Sequence, residues 1–230
     1  MSKKVFLGVG HGGSDPGAVA NGFEEADLNL GIALACNDVL IRHGVQVLMS
    51  RTKDENDALT EEIKECNAFN PDLAIDIHNN AGGGDGAEAF YHYSGGKGKT
   101  LADNVLAEIV AIGQNSRGAK TRKNAKGKDY YGFIRETKAP AIIVECAFVD
   151  NKTDIAILDT AAEQKVMGVA IAKGILKTLG IAYIEEKPVV PEANDGNIIY
   201  RVQVGAYSVK ENAINMQNKL KAAGFDAIIV

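Results

Sequence analysis

The chain reads as an α/β protein: a mostly parallel twisted sheet flanked by helices, with a small C-terminal β-α-β unit. Three observations predict it. Short continuous apolar runs, such as Val5–Val9 and Ala141–Val144, have the pattern of strands covered on both faces. Stretches with apolar residues at helical spacing alternate with those runs. The strand-then-helix order repeats, and in a compact chain that order gives parallel crossovers.

The elements follow in order. After Val5–Val9 comes a Gly-rich loop, and then Leu28, Ile32, Ala35, Cys36 and Val39 mark one stripe of an amphipathic helix. His43-Gly44 ends it, with glycine just past the last turn. Val45–Met49 is a second strand. Thr60 is expected to cap a helix whose first turn carries Glu61 and Glu62. Leu73–Ile77 is a third strand, stopping at His78, and Glu88–Tyr93 a fourth. A helix over 100–112 comes next. Residues 114–128 are polar and basic without a core pattern, and a surface loop is expected there. Ala141–Val144 is a buried strand ending at Glu145. Thr160 and Glu163 form a capping box for a helix running to Leu179, with Val166, Val169, Ala170, Ile175 and Leu176 on its inner side.

Pro188 and Pro191, without periodicity around them, mark a linker. The expected organisation is a first domain over 1–182, a linker over 183–196 and a small unit over 197–230. In that unit Tyr200, Val202 and Val204 alternate with polar residues as a half-buried strand does. Ser208 and Glu211 make a second capping box, Ala213, Met216, Leu220 and Ala223 line a helix face, and Ala227–Val230 is a last apolar strand. Alone, such a unit buries little.

Composition excludes several classes. The chain has 230 residues, 46% hydrophobic and 24% charged, enough for one full core and too balanced for a disordered tail. Its formal charge is -5, so a partner held by phosphate neutralisation, such as nucleic acid, is not expected. No apolar run approaches the ~20 residues of a membrane span. Cys36, Cys66 and Cys146 are odd in number and lack zinc-finger spacing, which fits synthesis in a reducing compartment. Lys3 and Lys4 precede an apolar stretch too short for a signal peptide. Synthesis in the cytoplasm without a signal peptide, with action on its target after release, is the expectation.

Chemistry-bearing residues gather at predicted strand ends. His11 follows the first strand, His78 the third, and Glu145 the run Ile142-Ile143-Val144. The carboxyl ends of strands in an α/β sheet share one edge, where sites form. Glu25, at the start of the first helix, belongs near the same edge. Two histidines and a glutamate with one position open form a catalytic zinc set, and zinc lowers the pKa of a water to about 7. A carboxylate off the metal can then move the proton. His11, Glu25 and His78 therefore suit the metal, and Glu145 suits the acid/base. Singly, each has a bland reading: a strand-end histidine is more often structural, and Glu25 would suit a helix N-terminus in any case. Glu145 is costly to bury without a task. Cys146 should face away from Glu145. His43 reads as a helix C-terminal residue and His92 as a strand residue. The Gly12-Gly13 loop lacks the phosphate-cradling spacings.

At these residues the chain resembles the zinc-dependent N-acetylmuramoyl-L-alanine amidases of the amidase_3 type, over about residues 4–180. The resemblance rests on blocks in order: His11-Gly12-Gly13-Ser14-Asp15-Pro16-Gly17-Ala18; Gly22 to Glu25 leading into Leu28-Asn29-Leu30; Ser50-Arg51-Thr52 with Asp54; Ile77-His78-Asn79-Asn80-Ala81; Arg117-Gly118; and Pro140 to Glu145 with Phe148 and Asn151. It departs at Glu65-Cys66-Asn67 and at Cys146. The resemblance implies zinc on His11, Glu25 and His78, with Glu145 as acid/base. It implies hydrolysis of the amide between N-acetylmuramic acid and the stem peptide's L-alanine in peptidoglycan, by a phage endolysin or a bacterial autolysin. A zinc peptidase cutting within the stem peptide and a non-catalytic wall-binding protein are the alternatives. From Tyr200 to Phe225 the tail is similar to the first half of a SPOR domain, a family that binds peptidoglycan glycan strands. That half-domain implies wall binding, or a homodimer through pairing of two copies.

Overall fold

The computed structural model describes residues 2–186, 204, 210–225 and 227–229. Two compact units are present, 1–185 and 186–230. The first is a six-stranded sheet between two helical layers.

Its strands are β1 (Lys4–Val9), β4 (Gln46–Met49), β5 (Leu73–Asn80), β6 (Ala87–Tyr91), β7 (Ser116–Lys120) and β8 (Ala141–Phe148), ordered β4-β1-β5-β8-β6-β7. The first four of that order run parallel, and β6 turns antiparallel against β8. A two-stranded ribbon, β2 (Val19–Ala20) with β3 (Phe23–Glu24), interrupts the Gly-rich loop. From β1 the chain goes out through α1 (Glu25–Arg42) to β4 on one side. It returns through α2 (Leu59–Phe69) to β5 on the other. The strand order therefore reverses at β1, and a crevice opens beyond the carboxyl ends of β1 and β5, where α/β proteins bind ligands.

Strand alternation sorts the sequence onto two faces. Val5, Leu7, Val9, Leu73, Ile75, Ile77, Ile142, Val144 and Cys146 face α1, α3 (Lys97–Ala111) and α6 (Ala161–Leu179) in the larger core. Phe6, Ala74, Phe90, Ala141 and Ile143 face α2 and α4 (Gly132–Glu136) in a smaller one with Ile63, Cys66 and Phe133. The same period places Gly8, Asp76, His78, Glu88 and Glu145 on the second face, toward its rim. Burial of each large aliphatic side chain contributes about 1.5–3 kcal/mol, and the larger core carries most of them.

Several expected boundaries shift. The loop expected over 114–128 contains β7, which pairs in parallel with β6. Its residues, Ser-Arg-Gly-Ala-Lys, carry no apolar alternation because an edge strand is held by its backbone ladder. Thr60 lies inside α2; the N-cap is Ala58, without a side-chain cap. β5 and β8 run on through His78 and Glu145 rather than stopping there. Val166 is exposed, and Met167 and Ile171 take the inner positions of α6. The Thr160–Glu163 capping box forms in both directions. Asn151 caps the short α5 (Lys152–Ile155).

In the second unit, α7 (Lys210–Ala222) is the predicted helix. Ser208, the strand at 200–203 and the linker over 187–196 lie outside the described residues. Residues 227–229 are described and are not in a strand. No helix among the described residues is long and apolar enough to cross a membrane.

Candidate active site

His11 leaves β1 in a left-handed conformation, φ 64°. A non-glycine residue there costs roughly 1–2 kcal/mol, and such strain gathers at functional sites. Gly17, also left-handed, lets the loop close over the site: a Cβ there would lie 2.7 Å from Glu25 Oε2 and 2.7 Å from the His11 ring. The loop ends at Glu25, first residue of α1, which is buried.

Three side chains converge. His11 Nε2 lies 3.3 Å from Glu25 Oε2, and His78 Nδ1 lies 3.0 Å from Glu25 Oε1. One donor atom from each of the three falls within 4.8 Å of the others. The rings stand edge to face with centroids 5.1 Å apart. Each imidazole is held from behind. His11 Nδ1–H donates to Asp15 at 2.9 Å, and His78 Nε2–H to Asp76 at 3.2 Å. Each ring's other nitrogen faces Glu25 and hydrogen-bonds it; a metal held there would take the place of those inner protons and leave the outer N–H on Asp15 or Asp76. The donor set, two imidazole nitrogens and a carboxylate with room for a further ligand, fits a zinc ion.

Glu25 is fixed by backbone N–H groups of Ala18 at 2.9 Å and Asn79 at 3.1 Å. Burial alone would raise its carboxyl. The hydrogen bonds from His11 and His78 outweigh that and hold it well below the usual range. The ring of His11 is pushed up, chiefly by its bond to Glu25. Burial opposes protonation of His78, but the charge and hydrogen bond of Asp76 raise it well above its ordinary value. Arg51, buried although cationic, satisfies itself on the carbonyls of Val9, Gly10, Ala26 and Lys53. It ties the end of β1 to the start of α1.

Glu145 is paired in register with His78 on one side and with Glu88 on the other. The two glutamates differ. Glu88 accepts from Arg117, Lys120 and Asn80, and although burial opposes it, the two cations bring its carboxyl down. Glu145 has no such cation. Burial, with the nearby charges of Glu25, Asp76 and Glu88, pushes it up to about 7, and His78 works the other way. A cavity of about 300 Å³ opens beside His11 and His78, bounded by Asp57, Glu62, Tyr131 and Phe133.

The remaining predicted residues fall elsewhere. Cys146 lies in the larger core, facing away from Glu145. His43 bonds the Val39 carbonyl at 2.7 Å, and His92 pairs with Asp129 at 2.9 Å. Asp76, whose direction the strand pattern alone left open, shares the His78 face. Sequence reasoning missed Glu62: a first-turn glutamate looks solvated, and only the chain's path buries it.

Comparison with known proteins agrees with this geometry. The profile of the N-acetylmuramoyl-L-alanine amidase family matches residues 5–177, and that of the SPOR domain matches residues 172–230. The chain belongs to the N-acetylmuramoyl-L-alanine amidase family. It is 34% identical to the N-acetylmuramoyl-L-alanine amidase CwlM of Bacillus licheniformis, over 99% of this chain and 84% of that protein. It is 33% identical, with the same coverage, to the sporulation-specific N-acetylmuramoyl-L-alanine amidase of Bacillus subtilis. Among solved structures, Cwp6 from Clostridium difficile superposes with a TM-score of 0.77 at 40% identity. That match covers 78% of this chain and 30% of Cwp6. The amidase family is thus matched across the whole sheet that builds the site.

Proposed function

We propose that the chain hydrolyses the amide between the lactyl group of N-acetylmuramic acid and the L-alanine of the stem peptide in peptidoglycan. His11, Glu25 and His78 would hold a zinc ion, and Glu145 would move the proton. A zinc ion held there would polarise the scissile carbonyl and make a water nucleophilic at neutral pH.

The chain's own groups do the rest. Glu145, poised near 7 by burial, accepts a proton from the attacking water and returns it to the leaving nitrogen of L-alanine. Glu25 stays ionised under its hydrogen bonds and balances cationic charge. Asp15 and Asp76 fix the two imidazole tautomers. The observation that carries the reading is the three-donor cluster within 4.8 Å, one strand away from a carboxyl held near neutrality. The names of the bacterial relatives support the substrate, since both are N-acetylmuramoyl-L-alanine amidases. The SPOR match supports a wall-binding role for the second unit.

Digestion of purified walls tests it. The expected products are intact stem peptides bearing a new L-alanine amine, and chelation should stop their release. Cuts inside the peptide would instead indicate a zinc peptidase, and adsorption to walls without cleavage a binding protein. Light scattering decides whether the second unit instead pairs two copies into a homodimer.

A further inference from the structure

The basic stretch running from β7 toward α4 has no part in the proposed chemistry. Residues 116–128 hold six cations and no acid, in a chain of formal charge -5. Arg117 and Lys120 are spent on Glu88. Arg122, Lys123, Lys126 and Lys128 are exposed. They stand on a built hairpin. Lys123 bridges antiparallel to Asp129, and Tyr130 N–H donates to the Arg122 carbonyl at 2.8 Å. Asp129 turns inward and anchors the hairpin: it is 2% exposed, accepts from Tyr93 N–H at 3.0 Å and pairs with His92. Arg135 holds the carbonyls of Asp129 and Tyr130, each at 2.9 Å.

The hairpin leads straight into Tyr131, which lines the cavity beside His11 and His78. The Arg122 guanidinium lies 3.9 Å from the Tyr130 ring centroid and 5.9 Å from that of Tyr131. Stacking engages the flat face of a guanidinium and leaves its N–H edge for a planar acceptor such as a carboxylate. A side chain already held flat loses less freedom on binding. The cavity wall itself is acidic, with Asp15 and Asp57 on it. A carboxylate on a bound molecule meets like charge there and opposite charge at Arg122. Only one half of the proposed substrate has such a group near the scissile bond. The muramic acid carboxyl is consumed in that amide, so the carboxylates lie on the peptide. Arg122 is 5.9 Å from the Tyr131 ring, a span of about two extended residues at ~3.5 Å each.

We propose that Arg122, stacked on Tyr130 beside Tyr131, binds the stem-peptide carboxylate nearest the scissile bond. It thereby sets which end of the substrate lies toward the hairpin. The inference rests on the amidase reading, whose leaving group it orients.

Two N-acetylmuramyl peptides test it on the full chain. They are identical except that the carboxylate on the residue after L-alanine is free in one and a carboxamide in the other. The zinc-loaded parent should favour the acid. Arg122→Gln should lower the ratio of kcat/KM for acid over amide about 10-fold, chiefly through KM for the acid. Lys126→Gln, in the turn of the hairpin, should keep the parent ratio. Equal falls in the ratio for both variants would mean a diffuse field rather than a stacked fork, and would overturn the proposal. A parent ratio in Arg122→Gln would overturn it as well. So would a loss seen on whole walls but not on these peptides, which would point to an anionic wall polymer. Binding of both peptides to the chelated proteins, followed by NMR shifts, separates this inference from the amidase reading. An Arg122-dependent preference for the acid, with no cleavage by the zinc-loaded parent, would leave the carboxylate subsite standing and the amidase reading fallen. Cleavage without that preference would do the reverse.

Discussion

The two faces of one sheet are built to opposite rules. Toward α1, α3 and α6 the packing is dry and close. A Cβ on Gly168 would lie 2.4 Å from the Ile32 carbonyl, and one on Gly174 2.5 Å from Val105 Cα, so helices meet backbone to backbone. Toward α2 and α4 the apolar core is small and gives way at the rim to His78, Asp76, Glu62 and Glu145. Both faces come from the same strands by alternation: Ile77 and His78, or Cys146 and Glu145, are adjacent in sequence and opposite in environment. The difference teaches that tight packing on one face lets the other hold charged groups in places that cost stability.

Glu145→Gln breaks the rim at its most sensitive point. It should keep zinc and lose wall hydrolysis by roughly 10²–10⁴-fold, the usual contribution of a proton-transfer group. It should also stabilise the fold. The folded carboxyl titrates near 7 against an ordinary value of 4.5. The folded state therefore holds its proton more tightly, and Glu145 contributes stability below about pH 4.5 that is lost as pH rises through 7. The loss is on the order of 3 kcal/mol. Urea unfolding of the chelated protein at pH 8 should show Glu145→Gln the more stable, and at pH 4 the two should converge. Identical midpoints at pH 8 would refute the buried, unpaired character of this carboxyl. Parent hydrolysis should rise with pH through the same ionisation, because the acceptor form is the ionised one.

Gly174→Ala attacks the other face. In an open helix alanine would gain about 1 kcal/mol over glycine. Here the new methyl meets Val105 backbone, and overpacking of this kind costs about 1–3 kcal/mol. The expected result is a lower melting temperature with unchanged hydrolysis per folded molecule. A stabilised variant would mean that α3 and α6 sit further apart than 2.5 Å from methyl to Cα allows.

Asp15→Ala sharpens the contrast from the rim side. The Asp15 side chain is 68% exposed, so its removal should leave unfolding unchanged. It frees His11 Nδ1, and zinc affinity measured against a chelator should fall by roughly 10-fold. A change in stability without a change in affinity would reverse the assignment of Asp15 to the site.

Legibility in the sequence followed the same division. The dry face was readable because burial on both sides writes continuous apolar runs, as at Val5–Val9, and helical stripes, as at Leu28 to Val39. His11, His78 and Glu145 were readable because a polar residue interrupts a run where the sheet has an edge. β7 was not readable, since Ser116–Lys120 pairs through its backbone ladder and through Arg117 and Lys120 on Glu88, and carries no apolar alternation. Neither was Glu62, whose burial depends on Gly8, a residue distant in sequence. The side on which Asp76 falls required knowing that β5 continues past His78 to Asn80.

The smallest effect is the most discriminating. Thr160→Ala removes the acceptor for Glu163 N–H and one of the two donors to the Glu163 carboxylate, all at the exposed start of α6. Loss of such a cap costs about 1 kcal/mol, a drop of about 2–4 °C in melting temperature for a domain of this size. Thr160→Ser should restore it. α6 packs on α1, and α1 begins at Glu25, so this is the shortest mechanical route from the dry face to the rim that carries His11, Glu25 and His78. Zinc affinity and hydrolysis should nevertheless stay at parent values, because Glu25 is pinned by Ala18, Asn79, His11 and His78 rather than by α6. A shift in either at this remote cap would show that α1 transmits strain, and that the two faces are not independent.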